Sequence, residues 1–189
     1  RNEVIKFLAD ELKISLIRDY CPNGLQVEGQ SRISSVVSGV TASYALIEAA
    51  INLNADTVLV HHGYFWRNEN ACITGPKKKR IQLLLAHDIN LLAYHLPLDV
   101  HPELGNNARL GKVLGLNATG RFGQNELGWL GRMTDPGMTT VSDLASWIGK
   151  KLDREPLVIG HPQQSLDTIG WCSGAAQDLL PEAAQAGAS

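Results

Sequence analysis

Two adjacent histidines, His61 and His62, close the apolar run ADTVLVHH (55–62), and Asp99 closes a second run, INLLAYHLPLD (89–99). Imidazole and carboxylate together suit zinc, iron or manganese, whereas calcium and magnesium prefer all-oxygen shells. Neighbouring residues of a regular strand point to opposite faces. A His-His pair serving one cavity must therefore sit where the strand breaks, and Gly63 supplies that break. In that position the two imidazoles reach two different ions, so we expect two divalent transition-metal ions held by His61, His62 and Asp99. Taken singly, each residue has an ordinary explanation: a surface His beside a core His, and an aspartate that caps a helix. Their shared position at the ends of two buried runs favours the metal. His95, four residues before Asp99, fits a hydrogen-bonding residue behind the ligands or a substrate contact as well as it fits a ligand. His101 and Glu103 flank the site and are not expected to bind metal, and His87 and His161 read as surface residues. No residue declares itself as the catalytic base or nucleophile.

The elements that must position these groups follow from periodicity. Residues 3–14 carry apolar side chains at helical spacing, 15–32 form a loop holding Cys21-Pro22-Asn23-Gly24, and 33–41 are β-rich. Helices are expected near 43–53 and 77–87. Nearly all-apolar strands separated by helices indicate a parallel or mostly parallel sheet covered on both faces. Ligands of such sheets bind beyond the carboxyl ends of the strands, where His61, His62 and Asp99 fall. The fold class is thus α/β, a mostly parallel or mixed central sheet flanked by helices, with a smaller α+β subdomain. We divide the chain into 1–116 for the metal-site domain, 117–165 for an inserted subdomain, and 166–189 for a return to the main domain. Within the later part, Ser142 is expected to cap a helix at 140–151, PLVIG (156–160) and DTIGWCSG (167–174) read as strands, and 175–187 as an Ala-rich helix. Asn106 and Asn107 open a further helix in a capping role.

Composition narrows the class. The chain has 189 residues, 44% of them apolar, and a net charge of −2, so no global field recruits nucleic acid. Nucleic acid is not the expected partner. The run Lys77-Lys78-Lys79-Arg80 reads as a solvated helix face. Three cysteines without paired spacing indicate a reducing compartment and structural thiols. No run nears the ~20 apolar residues of a membrane helix, and the start does not resemble a signal peptide, so a cytoplasmic location and no membrane partner are expected. A charge count leaves a gap: two divalent ions on two neutral imidazoles and one carboxylate retain about +3, which calls for further anionic ligands. Residues after Asp99 offer no obvious cluster, and AAQDLLPEAAQAGAS ends where another strand would follow. The expectation is that part of the site lies in sequence beyond Ser189.

The runs PNGLQVEG (22–29), SGVTAS (38–43), VLVHHGYFW (58–66) and HLPLDVHPELGNN (95–107) resemble the YbgI-like family of dinuclear metal proteins, also called GTP cyclohydrolase type-2-like. The likeness continues more weakly through WCSGAAQ (171–177). It implies that His61 and Asp99 hold one ion and His62 the other. It also implies that a C-terminal HHxxE-type motif, absent from this chain, completes the site, and that the protein assembles as a ring-shaped homohexamer. It places the loop of Gln26 beside the metals, where Gln26 could orient water or substrate; a plain Pro-Asn-Gly turn is the competing reading. The expected function is a dinuclear metal-dependent hydrolase that acts on a small molecule, a nucleotide, phosphoester or purine-type ring, through a metal-bridged hydroxide. The alternative is a metal-stabilised, ring-shaped binding or scaffold protein without turnover.

Overall fold

The computed structural model describes residues 1–189, which form two compact units, Arg1–Leu98 and Asp99–Ser189. The first begins with helix α1 (Asn2–Glu11), then β1 (Gly24–Val27), β2 (Val36–Thr41), α2 (Tyr44–Asn52), β3 (Thr57–His62), α3 (Gly75–Ala86) and β4 (Asn90–Ala93). The strands lie in the order β1-β4-β3-β2. The β2, β3 and β4 strands are parallel, and β1 runs antiparallel to β4. The expected mostly parallel, mixed sheet is therefore present.

Period-two alternation assigns the two faces of this sheet. Val58, Val60, Leu91 and Ala93 pack in one cluster with Ile47 and Ala50 of α2 and Ile81 and Leu84 of α3. Leu92 and Tyr94 pack on the other with Leu12, beside Leu8, Leu25 and Leu59. All four residues of β4 are buried, as a parallel strand covered on both sides requires. Each fully buried Leu or Ile contributes about 1.5–3 kcal/mol relative to exposure.

Two buried polar residues fix the amino ends of the strands. Asp56 Oδ2 accepts from Ser34 N at 2.7 Å and Ser35 N at 3.0 Å, tying the entry of β2 to β3. Asn90, fully buried, accepts from Gly29 N at 2.9 Å and donates to the carbonyls of Gln30 and Asp56 at 2.9 and 3.2 Å. These bonds set register at one end of the sheet and leave the other end to the histidines.

A short helix, α4 (Leu96–Val100), leads into the second unit, which contains α5 (Asn106–Leu114), β5 (Leu116–Phe122), β6 (Gly128–Met133), α6 (Val141–Leu152), β7 (Ile169–Trp171) and α7 (Leu180–Gln185). The β5, β6 and β7 strands form an antiparallel sheet in that order. Trp129 and Trp171 stack at 5.9 Å, and the Arg121 guanidinium lies 4.0 Å from the Trp129 ring. No helix of the structure is long and apolar enough to cross a membrane.

Several local expectations are corrected. The run to Asp99 is not one strand: β4 stops at Ala93, and Asp99 sits on α4, because Pro97 has no N–H to continue a ladder. The α6 cap is Thr140, not Ser142. The Thr140 side chain accepts from Asp143 N, and the Asp143 carboxylate accepts from Thr140 N, a reciprocal capping box. Asn106 and Asn107 do not cap α5, which starts from Gly105. Asn106 Nδ2 donates to Asp99 Oδ1 at 2.7 Å, and fully buried Asn107 donates to Leu127 O and accepts from Ser173 N. PLVIG forms no strand: Leu157 and Ile159 are 88% and 91% exposed, and neither has a paired strand to bury it. The final helix is shorter than its alanine content suggests, α7 covering only Leu180–Gln185.

Replacing Asn90 with Ala removes the side-chain partner of two part-buried backbone groups, Gly29 N and Gln30 O, while Asp56 O keeps its bond from Asn90 N. Urea unfolding should register a loss of about 2 kcal/mol, since each unsatisfied group costs about 1–3 when buried and less when part-buried. A loss under about 1 kcal/mol would show that the strand ends relax and rehydrate.

Candidate metal centre

The histidine pair occupies the last two residues of β3. Regular alternation would send the rings to opposite faces. At the carboxyl end of the strand they converge instead, with centroids 4.4 Å apart. Gly63 follows because nothing larger fits: a Cβ there would collide with the Gln26 carboxamide and lie 2.7 Å from Ala93 Cβ. The residue that takes the left-handed backbone is not the glycine but Phe65, at φ 65°.

His95, just beyond β4, completes the group. Its ring lies 4.9 Å from His61 and 5.7 Å from His62, and the ligand atoms of all three histidines lie within 4.8 Å of one another. That spread is compatible with one ion, whose Zn–N bonds run about 2.0–2.1 Å, or with a pair about 3.5–4 Å apart. The sequence left His95 open between a ligand and a residue behind the ligands or against substrate; the structure puts its nitrogen among those of His61 and His62.

The Nδ1 atom of each ring is already engaged. His61 Nδ1–H donates to Tyr94 O at 3.1 Å, and His95 Nδ1–H donates to Asp19 Oδ1 at 3.1 Å. A carbonyl and a carboxylate can only accept, so both tautomers are fixed and Nε2 carries the lone pair. His62 Nδ1 lies 3.3 Å from Thr41 Oγ1, across the β2–β3 pair.

Asp19, which the sequence reading passed over as part of a loop, organises this corner. Its side chain is 3% exposed. Besides His95, its carboxylate accepts from Tyr20 N at 2.7 Å, Asn23 Nδ2 at 2.9 Å and Leu96 N at 2.9 Å. Asn23 Oδ1 in turn accepts from His95 N at 2.7 Å. Burial works to raise the Asp19 carboxyl, but the hydrogen bonds from His95, Asn23, Leu96 and Tyr20 outweigh it. The net effect holds the group well below the usual carboxylate range, so it is ionised at neutral pH. The available sequence signal was a carboxylate and an amide four residues apart, Asp19 and Asn23, ahead of a tight turn.

Asp19, Cys21 and His95 also bring their ligand atoms together. Burial first, then the Asp19 charge and its hydrogen bond, push the Cys21 thiol up to about 12. A thiol so placed stays protonated, in keeping with a structural role. Gln26 is committed to the loops: Oε1 accepts from Tyr64 N at 2.7 Å, and Nε2 donates to Pro22 O at 2.8 Å. Asp99, 6% exposed, belongs to the second unit, where Asn106 holds it. His101 Nδ1 accepts from the amides of Glu103 and Leu104, His161 Nδ1 from that of Gln163, and His87 is exposed at the end of α3.

A mostly parallel α/β sheet with imidazoles gathered beyond its strand ends defines an α/β protein with a candidate transition-metal centre. The chain belongs to the Duf34/NIF3 (NGG1p interacting factor 3) family, which matches residues 1–189. It is 50% identical over 184 residues to the GTP cyclohydrolase 1 type 2 homolog of Vibrio cholerae, covering 95% of this chain and 72% of that protein. The homolog of the same name from Escherichia coli is 45% identical, covering 98% and 74%. Among solved structures, protein ybgI, described as of unknown function, superposes with a TM-score of 0.92 at 44% identity over 99% of this chain and 74% of that one. A Thermus thermophilus protein gives 0.82 at 35% identity, covering 96% and 73%.

Because Asp19 both orients His95 and fixes its tautomer, Asp19→Ala should weaken zinc binding about 10- to 100-fold, the usual effect of removing the group behind a ligating His. Competition against a chromogenic zinc chelator measures it. Unchanged affinity would remove His95 from the ligand set.

Proposed function

We propose that this chain carries the metal-binding part of a hydrolase acting on a small molecule, a nucleotide, phosphoester or purine-type ring. The observation that carries this reading is the convergence of three imidazole ligand atoms within 4.8 Å, with Nδ1 of each already engaged. Divalent zinc, iron or manganese suits such a donor set. When bound, the metal supplies Lewis-acid polarisation of a carbonyl or phosphoryl oxygen and makes water a competent nucleophile near neutral pH.

The protein's own contribution is positional. His61 and His95 present Nε2 with Nδ1 committed, His62 stands beside Thr41, and Asp19 adds a negative charge behind His95. Asp99 enters as a further ligand on the resemblance of HLPLDVHPELGNN alone. The curated relatives are named for GTP cyclohydrolase, which favours a substrate with a hydrolysable heteroaromatic ring. The homohexamer that the resemblance implies is part of this proposal. It predicts a solution mass of six times 20.5 kDa, which light scattering after size exclusion would report.

Two measurements test the reading. Chelator treatment should abolish hydrolysis across a panel of nucleotides and phosphoesters, with far-UV circular dichroism preserved, and zinc or manganese should restore it. Turnover that survives complete demetallation contradicts the proposal. Separately, zinc at about 100 times its Kd should stabilise the fold by about 2.7 kcal/mol, and His61→Ala should abolish that increment. A variant still stabilised to the same degree would place the metal elsewhere.

A further inference from the structure

The histidine cluster is walled by two aromatic residues that neither the core nor the metal reading accounts for. Trp66 lies 5.0 Å from His95, edge to face at 88°, and 6.0 Å from His62. Tyr20 lies 5.1 Å from His95 at 71° and 5.8 Å from Trp66 at 38°. Unlike buried Tyr64 and Tyr94, Tyr20 is 47% exposed and Trp66 is only partly buried.

The loop that delivers Trp66 is held under strain. Phe65, a bulky residue, sits at φ 65°, a conformation that persists only where surrounding contacts over-determine it, and such positions cluster at functional sites. The contacts are present. Glu69 Oε2 accepts from Phe65 N at 2.9 Å and Trp66 N at 3.2 Å. Lys77 Nζ is 3.2 Å from Glu69 Oε2 and 5.0 Å from the Phe65 ring centroid. Arg67 N donates to Tyr20 O at 2.8 Å, and Arg67 Nη2 donates to Asp19 O at 3.1 Å, joining the two aromatic loops. These bonds leave both rings partly exposed, with the Tyr20 and Trp66 centroids 5.1 and 5.0 Å from that of His95.

We propose that Trp66 and Tyr20 form a stacking site for a flat heteroaromatic ring, the nucleobase-like part of the substrate, and so position it against the histidine cluster. This rests on the reading of that cluster as a metal-dependent reaction centre. An aromatic pair selects for a planar π-system through face contact, tolerates different ring substituents, and discriminates against sugars and aliphatic phosphates of equal charge.

The test uses the zinc-loaded chain with AMP, GMP and ribose 5-phosphate as probes, and measures zinc affinity in the same samples. The nucleotides should bind more tightly than ribose 5-phosphate. Trp66→Leu should weaken nucleotide binding about 5- to 100-fold, leave ribose 5-phosphate and zinc binding unchanged, and be largely rescued by Trp66→Phe. Tyr20→Leu should act in the same direction. Equal binding of nucleotides and ribose 5-phosphate overturns the proposal, as does a Trp66→Leu variant that binds nucleotide normally. A variant that loses zinc together with nucleotide also overturns it, because Trp66 would then only support the histidine rings. Base-dependent binding that persists in a protein unable to hold zinc or to turn over substrate would instead refute the hydrolase reading and leave the stacking site in place.

Discussion

The carboxylate of Asp19 is the constraint on which the arrangement of the histidine corner depends. A buried carboxylate is costly unless hydrogen bonds replace its water. Here the donors come from its own loop (Tyr20 N, Asn23 Nδ2) and from the exit of β4 (His95 Nδ1, Leu96 N). Satisfying one charge therefore pins a loop to a strand end, sets the rotamer and tautomer of His95, and brings Tyr20 alongside. Removing the charge alone would leave several donors buried with nothing to accept them, which costs more than the bonds contribute while intact.

The parallel sheet supplies the complementary constraint. Strands β3 and β4 are fixed at their amino ends by Asp56 and Asn90 and along their length by apolar packing on both faces. Chemistry is therefore confined to the carboxyl ends, where the ladder stops and adjacent side chains can depart from alternation. His61 and His62 exploit that freedom. Gly63 follows them in close approach to Gln26 and Ala93, and two residues on Phe65 holds a left-handed backbone.

Much of this was legible in the sequence because it follows from period and composition. The buried runs 55–60 and 89–93 announce parallel strands, and a histidine pair closing one of them announces a site. What the sequence hid depends on long-range pairing. Asp19 lies 76 residues from His95, and nothing local separates it from a solvated loop aspartate. The role of His95 stayed open in the sequence because the run to Asp99 read as one strand, whereas β4 ends at Ala93 and a helix begins at Leu96. Asn106 and Asn107 looked like caps because their type suits caps, yet tertiary bonds to Asp99, Leu127 and Ser173 claimed both side chains.

The central claim is that His61, His62 and His95 act together as metal ligands, and X-ray absorption at the zinc edge tests it most directly. The account predicts a shell of light atoms at about 2.0–2.1 Å with imidazole outer-shell scattering, and a loss of part of that imidazole signal in His95→Ala. A spectrum without imidazole scattering, or one that His95→Ala leaves unchanged, would contradict it.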